Sequence, residues 1–295
     1  MNRQAIHPTQ RNDFLKICDL HTHSIFSDGT LTPTEIINRA ELLGISAVAL
    51  CDHNTIDGLP EFIAASKNKN VEAIPGVEFS VDLNGKELHL LGLCLKEDSF
   101  QKITEIMQVI NKSKEESNIL LIDSLNKAGY KISFSSIKAK TPNGKFNRAH
   151  IAAELVEKGY CTSIKQAFST LLAPSVGHYI EPKRFTVYEM IDFIKSIGAV
   201  SVLAHPFLNL TEEELLTFLP TAKKRGLVGI ECYHSLYDEQ TTEKSFSLAK
   251  KFGFKFSGGS DFHGTNKPDI ELGSGKGNLK IPYEFLLDIN SKNDL

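Results

Sequence analysis

The sequence predicts an α/β fold, most simply a (β/α) barrel, and three observations support this prediction. Seven short, β-prone apolar runs are bounded by turn signals, as fully buried strands are. Stretches with helical spacing of apolar residues lie between several of these runs, which favours a mostly parallel sheet. The length of 295 residues, with 41% hydrophobic and 23% charged residues, suits one barrel-sized domain with an inserted module.

Nearly all of the predicted strands carry a histidine or a carboxylate at one end. They are residues 14–18, 45–51, 71–77, 88–95, 199–203, 227–232 and 255–259.

Capping signals mark the helices between these strands. Thr32-Pro33-Thr34-Glu35 combines a capping residue with Pro and Glu in the first turn, so a helix is expected to begin there. Residues 211–224 and 239–252 predict two further helices of similar character. The pair Asn84-Gly85 is a strong signal for a two-residue hairpin, so the strands on either side are expected to be antiparallel and the barrel irregular.

Residues 96–185 interrupt the rhythm of strands and predict a helical insertion. Apolar spacing within 100–110 and within 119–125 predicts two separate amphipathic helices, and 151–156 and 164–172 continue in helical style.

The barrel is therefore expected to combine residues 14–95 and 186–283, with 96–185 as a cap that helps to bind substrate phosphate. This segment holds fourteen Lys and Arg against nine Asp and Glu, a net charge of +5, whereas the whole chain carries −3 and the remainder therefore −8. A basic cap would face an anionic substrate.

Composition and charge exclude several classes of protein. The net charge of −3 argues against a protein that binds long duplex nucleic acid. Residues 1–16 contain no apolar core of signal-peptide length, and no run approaches the roughly 18 apolar residues of a membrane span, so we expect a cytoplasmic location and no membrane partner. The five cysteines form no C-x-x-C pair and are expected to be reduced.

Histidines and carboxylates at the strand ends predict a metal site. His21 and His23 lie two residues apart on one strand, so both side chains point the same way. A single histidine at a strand end is more often structural, but six in such positions favour a shared site. The candidate ligands are His21, His23, Asp28, His53, Glu78, His89, His205, Asp261 and His263.

This ligand set indicates the kind of metal and reaction. Nitrogen and oxygen ligands without thiolate suit manganese, iron or zinc, and nine ligands are too many for one ion, so two or three divalent ions are expected. Such a cluster can bind a phosphoryl group, lower the pKa of a water and stabilise a leaving oxygen, which makes phosphoester hydrolysis the leading reaction. Glu78 is the best candidate for a bridging carboxylate. Asp52 could orient His53, or it could only cap a turn.

A second candidate site lies in the basic segment, at Asn147-Arg148-Ala149-His150. Asn147 is a good N-cap, which would place Arg148 and His150 in a first helical turn, where anions are favoured. A phosphate is plausible there. Alternatively, Arg148 is a solvated surface charge.

The motifs His21-x-His23, Ser27-Asp28-Gly29, Asp52-His53, Gly76-Val77-Glu78, Ala204-His205-Pro206 and Gly259-Ser260-Asp261-x-His263, together with His89, resemble the PHP (polymerase and histidinol phosphatase) family over about residues 17–263. The resemblance implies a distorted (β/α)7 barrel with a trinuclear site at the nine positions named above. It further implies one ion held by His21, His23, Glu78 and Asp261, a second by Asp28, His53, Glu78 and His263, and a third by His89 and His205.

The insertion resembles that of one family branch, which includes 3′,5′-nucleoside bisphosphate phosphatases and an exonuclease that trims 5′-phosphorylated RNA. This resemblance implies that Arg148, His150 and His234 bind substrate phosphate, and that Asp28, His205 and Arg148 are catalytic. The expected substrate is therefore a nucleoside bisphosphate or a short 5′-phosphorylated RNA. A histidinol-phosphate phosphatase, an amidohydrolase on a similar barrel and a non-catalytic metal-bound module remain alternatives, and the oligomeric state is open.

Overall fold

The computed structural model describes residues 16–140 and 148–291. Its seven strands form one sheet in chain order: β1 (Cys18–Thr22), β2 (Ala47–Leu50), β3 (Glu72–Leu83), β4 (Lys86–Leu93), β5 (Val200–Leu203), β6 (Gly229–His234) and β7 (Lys255–Gly259). The α-helices are α1 (Pro33–Leu42), α2 (Leu59–Ser66), α3 (Phe100–Lys127), α4 (Phe134–Lys140), α5 (Arg148–Glu157), α6 (Ile164–Ser169), α7 (Val187–Ser196), α8 (Pro206–Asn209), α9 (Glu212–Arg225), α10 (Glu239–Phe252) and α11 (Glu284–Ile289).

The sheet curves into a nearly closed barrel, which confirms the predicted fold class. Strands β1 to β3 and β5 to β7 are parallel, while β4 is antiparallel to both of its neighbours. Beyond the last strand, a bridge between Thr22 and Phe262 brings the two edges together. The His23 N–H donates to the Phe262 carbonyl at 2.9 Å, and the Asp261 N–H donates to the His21 carbonyl at 2.9 Å. The barrel therefore closes where several candidate site residues lie.

The predicted hairpin at Asn84-Gly85 is confirmed and accounts for the one antiparallel strand. Both residues have positive φ, 53° for Asn84 and 83° for Gly85, as a type I′ turn requires. The resulting register places His89 directly opposite Ser80 on β3, two residues along from Glu78. A tight turn thus positions two candidate ligands on neighbouring strands.

The capping signals also hold. Thr32 accepts a hydrogen bond from the Glu35 N–H at 3.1 Å, and the Thr32 N–H donates to the Glu35 carboxylate at 2.7 Å, so α1 begins with a complete capping box. Helix α10 spans the predicted residues 239–252.

The prediction of two helices within residues 100–125 is wrong, because α3 is one continuous helix of 28 residues. Residues 111–118 interrupt its apolar pattern but contain neither Gly nor Pro, so nothing ends the helix there. Two of their polar side chains face the barrel instead: Asn111 donates to the Asn54 carbonyl at 3.1 Å, and Lys114 donates to the Ser80 hydroxyl at 3.0 Å. The apolar gap marks a polar surface at the site.

The buried apolar residues form three clusters. The largest joins strands to the surrounding helices α1, α2, α7, α9 and α10. A second joins residues of the first five strands with α11, whose preceding Tyr283 N–H bonds to the Lys16 carbonyl at 3.0 Å, near the start of β1. The third lies wholly within residues 121–179. Among the helices of the described residues, none combines the length and apolar character needed to cross a bilayer.

Candidate active site

All nine candidate ligands lie at one mouth of the barrel. The carboxyl ends of the parallel strands meet at this mouth, and they carry His21, His23, His53, His205, Asp261 and His263. The β3–β4 hairpin adds Glu78 and His89, and the loop after β1 adds Asp28. Residues more than 200 positions apart in the sequence thus meet in space.

Glu78 lies at the centre of this cluster. Its carboxylate is fully buried. It lies close to five histidine rings, with oxygen-to-nitrogen distances of 2.9 Å to His53, 2.9 Å to His89, 3.2 Å to His205, 3.3 Å to His21 and 3.4 Å to His23. One buried anion surrounded by imidazoles suits a carboxylate shared between neighbouring cations.

Asp28 and Asp261 are the other carboxylates of the cluster. Asp28 Oδ1 lies 3.2 Å from His263 Nε2, and Asp261 Oδ1 lies 3.3 Å from His23 Nε2. Three groups have ligand atoms within 4.8 Å of one another: His23, Asp28, His53 and His263; His21, His23 and Glu78; and His53, Glu78 and His89. This grouping differs from the one that the family resemblance implies: His23 takes the place of Glu78 beside Asp28, and neither Asp261 nor His205 belongs to any of the three groups.

The orientation of the rings fits metal ligands. His21 Nδ1 is 3.1 Å from a Glu231 carboxylate oxygen, and His263 Nδ1 is 2.8 Å from the Asp261 carbonyl. A proton on each of these nitrogens leaves the Nε2 lone pair facing the cluster. His205 is arranged likewise, with Nδ1 3.2 Å from the Asn209 side-chain oxygen. These acceptors thus select the tautomer that a metal requires.

Buried polar atoms without partners point to the same conclusion. Six atoms of the cluster are buried and have no hydrogen-bond partner within the part of the chain that the structure describes: His21 Nε2, both ring nitrogens of His23, Asp28 Oδ1, Glu78 Oε2 and His89 Nδ1. Leaving such atoms unsatisfied costs about 1–3 kcal/mol each. Divalent cations would satisfy all six, so the residues present fit a metal cluster.

The electrostatics of the cluster keep its carboxylates ionised. Burial alone would raise the pKa of Glu78, but the His53, His89 and His21 rings hold it well below its usual range. Burial, with repulsion from His263 and His53, lowers the pKa of His23 to about 3. Burial also opposes the charged form of His53, but Glu78 and Asp28 outweigh it and raise the pKa of His53 to about 9.

These shifts predict that metal binding releases protons. A metal needs a neutral imidazole, whereas His53 without metal stays protonated below its raised pKa of about 9. Manganese affinity should therefore rise as the pH increases from 6 to about 9 and then level off. Calorimetric titration at pH 7 in buffers with different ionisation enthalpies should detect proton release, and an affinity independent of pH would contradict this assignment.

Glu231 belongs to the site, although the sequence analysis did not single it out. It is fully buried in β6, where it bonds to His21 Nδ1 and accepts the His205 backbone N–H at 2.6 Å. One feature of the sequence could have identified Glu231: it is a carboxylate in the interior of an apolar run, where a charge is tolerated only if it is paired.

Glu231→Gln is expected to lower metal affinity and kcat/KM by about 10- to 100-fold, because an amide orients His21 less strongly than a carboxylate. Elemental analysis and kinetics of the same sample measure both effects. Glu239→Gln, which changes an exposed carboxylate at the start of α10, serves as the control. Unchanged metal content and turnover in Glu231→Gln would show that this carboxylate does not support the site.

Two other buried carboxylates hold loops. Asp52 accepts hydrogen bonds from the Ser24 N–H at 2.7 Å, the Ser24 hydroxyl at 2.6 Å and the Ser27 hydroxyl at 2.6 Å. Of the two alternatives for Asp52, the structure favours holding a turn, and this turn carries Asp28. Asp19 accepts from the Ser260 N–H at 2.9 Å and the Gly273 N–H at 2.7 Å, and so fixes the chain just before Asp261.

His234 lies beneath Asp261 and not at the surface of the site. Its side chain is fully buried, its Nδ1 accepts the Leu236 N–H at 3.2 Å, and its Nε2 lies 3.4 Å from Asp261 Oδ2. Direct contact of His234 with substrate does not fit this placement, because no part of the ring is exposed. Lys267 Nζ is 2.5 Å from the same Asp261 oxygen.

Arg148 lines a cavity of about 260 Å³ between the barrel and the inserted helices. Its guanidinium lies 4.1 Å from the centre of the Tyr179 ring, so Arg148 is stacked in a pocket and is not a freely solvated charge. His150 is half-buried, and burial lowers its pKa while nearby Asp28 opposes this shift. The proposed N-cap Asn147 lies outside the described residues.

The cavity borders the histidine cluster. Glu87 lines the cavity and lies two residues before His89 on β4, with its Oε1 3.9 Å from His89 Nε2. The remaining wall is formed by Lys114, Ser117, Asn118, Arg148, Ala149, Phe168, Tyr179, Pro182 and Arg184.

A barrel whose mouth gathers six histidines and three carboxylates fitted to divalent cations defines a metal-dependent hydrolase. The family model described as "PHP domain" matches residues 19–197. The chain therefore belongs to the PHP domain family, and it is a metal-dependent phosphoesterase.

Named relatives resemble the chain over most of its length. It is 32% identical to a 5′-3′ exoribonuclease of Haemophilus influenzae, covering 83% of this chain and 89% of the relative. It is 30% identical to a 3′,5′-nucleoside bisphosphate phosphatase of Chromobacterium violaceum, covering 86% and 90%. A crystal structure from Bifidobacterium adolescentis, of a protein described as a candidate metal-dependent phosphoesterase, has a TM-score of 0.78 and 25% identity, covering 93% of this chain and 95% of the other.

Proposed function

We propose that the protein hydrolyses a phosphoester of a 3′,5′-nucleoside bisphosphate or of a short 5′-phosphorylated RNA. One observation carries this proposal: the histidine cluster and the cationic cavity meet at Glu87, which lines the cavity and lies 3.9 Å from His89. A substrate with two phosphate groups places the group to be cleaved at the cluster and the other in the cavity. The names of the exoribonuclease and bisphosphate phosphatase relatives support the same class of substrate.

The proposed cofactor is two or three ions of manganese, iron or zinc, held by the nine clustered residues. When bound, such ions bind the phosphoryl oxygens, activate water and stabilise the leaving oxygen. Glu78 supplies a shared carboxylate, and the surrounding His53, His89 and His21 rings keep it ionised although burial opposes its charge.

The chain's own residues orient the reaction. The Asp28 side chain is 40% exposed and therefore lies open to a substrate, in contrast to the buried Glu78. His205 faces Glu78 through Nε2 while Asn209 holds its other nitrogen, so its ring is fixed at the reacting centre. Arg148 and His150 bind substrate phosphate from the inserted helices, and Arg148 thereby supports catalysis. His234 acts through Asp261 as a positioning residue.

We further propose the domain boundaries predicted from the sequence: a barrel of residues 14–95 and 186–283, and a helical cap of residues 96–185. The separate apolar cluster within residues 121–179 supports a cap with its own small core. The cytoplasmic location also stays a prediction.

The cavity argues against histidinol phosphate as the substrate. Three cationic side chains and one carboxylate line it. Histidinol carries an ammonium group, which this excess of positive charge would repel.

Substrate profiling tests the proposal. The manganese-loaded protein is assayed with adenosine 3′,5′-bisphosphate, adenosine 3′-phosphate, adenosine 5′-phosphate, histidinol phosphate, and short RNAs with a 5′-phosphate or a 5′-hydroxyl. We expect the highest kcat/KM for the bisphosphate or the 5′-phosphorylated RNA. Equal rates for substrates with one and two phosphates would contradict the proposal, and no release from any of them would favour a non-catalytic module. Elemental analysis of the same sample identifies the metal.

A further inference from the structure

A lysine that is not one of the nine candidate ligands contacts one of them directly. The Lys267 ammonium donates to Asp261 Oδ2 at 2.5 Å. The other oxygen of this carboxylate, Oδ1, lies 3.3 Å from His23 Nε2 and 3.9 Å from His21 Nε2. Asp261 therefore has one oxygen facing the cluster and one bonded to Lys267. Because the two oxygens share a single carbon atom, the ammonium lies at the edge of the space in which a cluster-bound group would sit.

Lys267 is open to the mouth of the barrel, unlike the carboxylate that it contacts. Its side chain is 35% exposed, whereas that of Asp261 is 9% exposed. An ammonium has three N–H donors. Within the part of the chain that the structure describes, Asp261 is the only hydrogen-bond acceptor of the Lys267 ammonium. Two donors therefore remain for a ligand that enters from the mouth.

The segment that carries Lys267 is fixed beside Asp28, whose side chain is 40% exposed at the same mouth. Asn266 Nδ2 donates to the Asp28 carbonyl at 2.8 Å. Gly264 begins this segment with a φ of 63°, and a side chain there would collide with the Thr30 hydroxyl. The rim that presents Lys267 is thus tightly packed, so its ammonium is held near the cluster before a ligand binds.

Lys267 supplies positive charge on a different side of the cluster from the cavity. The cavity is lined only by residues within 87–184. There Arg184 donates to Glu87 at 2.8 Å and Lys114 donates to Ser80 at 3.0 Å, so both cations lie beside β3 and β4. Lys267 instead follows β7. A phosphoryl group at the cluster approaches several carboxylates, and a cation on the β7 side offsets their repulsion.

We propose that Lys267 is a catalytic residue, which binds an oxygen of the phosphoryl group that is cleaved while it keeps its contact with Asp261. The oxygen of a water molecule bonds to phosphorus as the ester P–O bond breaks. One proton of that water ends on the leaving oxygen and the other on the phosphate, and the ammonium keeps its three protons. Its fixed positive charge stabilises the phosphoryl oxygens in the transition state.

Lys267→Met tests this role with two ligands that carry a single phosphate group, p-nitrophenyl phosphate and inorganic phosphate. In the manganese-loaded protein, we expect kcat/KM for p-nitrophenyl phosphate to fall about 10- to 100-fold, the loss for a charged hydrogen bond. Calorimetry should show weaker binding of inorganic phosphate by a similar factor. Elemental analysis should find at least the wild-type metal content, because removing a cation beside Asp261 makes this carboxylate a stronger ligand.

Three further variants serve as controls. Lys267→Arg keeps a cation and should retain most of the phosphate affinity. Lys267→Gln keeps a hydrogen-bond donor for Asp261 but no charge, so it should show the same loss as Lys267→Met and replaces that variant if it folds poorly. Lys276→Met removes an exposed cation from the following loop and should behave like wild type.

Two results would overturn the proposal. The first is a phosphate affinity that is the same in wild type, Lys267→Met and Lys267→Gln. The second is a loss of phosphate affinity that accompanies an equal loss of metal, since Lys267 would then only hold Asp261 in place.

The inference depends on the phosphoesterase activity of the chain and not on which nucleotide it hydrolyses, so the two proposals can fail separately. A protein that binds phosphate through Lys267 but hydrolyses substrates with one and two phosphates equally would contradict only the proposed substrate. A preference for adenosine 3′,5′-bisphosphate together with full phosphate affinity and activity in Lys267→Met would contradict only the role of Lys267.

Discussion

Glu78→Gln is expected to reduce metal affinity and kcat/KM by about 100- to 1,000-fold, the largest effect of any single substitution in this protein. Glutamine keeps the size of the side chain but removes the one anion that faces five histidine rings, two of them at 2.9 Å. Removing one partner of a buried set of charges costs about 3–5 kcal/mol, because the remaining groups cannot be solvated. Elemental analysis and steady-state kinetics measure both losses.

Glu72→Gln is the matched control, because Glu72 is an exposed carboxylate on the same strand. It should retain wild-type metal content and turnover. A Glu78→Gln protein that folds, keeps its full complement of metal and hydrolyses substrate normally would disprove the central role of Glu78.

Asp28→Asn is expected to lower kcat about 100-fold or more, with a smaller change in KM. Asp28 differs from the other carboxylates because its side chain is 40% exposed at the mouth of the site, while Oδ1 faces His263 at 3.2 Å. Loss of its charge weakens the group formed by His23, Asp28, His53 and His263, whereas the groups centred on Glu78 remain. The protein should therefore lose only part of its metal content.

Asp269→Asn, at an exposed position in the segment after β7, controls for the loss of one negative charge. If Asp28→Asn and Asp269→Asn have the same metal content and the same kcat, Asp28 takes no part in the reaction.

Local patterns allowed much of this fold to be predicted. The Asn84-Gly85 turn requires positive φ at two successive residues, and its side chains permit this conformation, so the antiparallel hairpin follows from two positions. The capping box at Thr32 similarly depends only on residues within one helical turn. The break predicted within α3 failed because Asn111 and Lys114 in the polar stretch face the site. The spacing of apolar residues cannot distinguish a polar interior surface from the end of a helix.

The metal cluster was predictable because most of its members lie at or just after the carboxyl ends of parallel strands, which meet at one mouth, while the predicted hairpin adds Glu78 and His89. Glu231, Lys114 and Arg184 were not predictable in this way. Each gains its role from a partner distant in the sequence, as Glu231 does from His21, 210 residues away. Asp52 illustrates the same limit, since only the folded loop shows that it binds Ser24 and Ser27 and so holds the turn of Asp28.

The sequence by itself determined the barrel, the hairpin and the set of histidines and carboxylates at its mouth, because strand periodicity, turn chemistry and residue type act over a few neighbouring positions. Only the tertiary structure decided which ring faces which carboxylate, why His234 is buried behind Asp261, and how Arg184 comes to line a cavity beside the cluster. Those outcomes depend on distances between side chains brought together by folding, and hydrogen bonds and charge interactions of this kind are set by ångström-scale geometry that no local pattern contains.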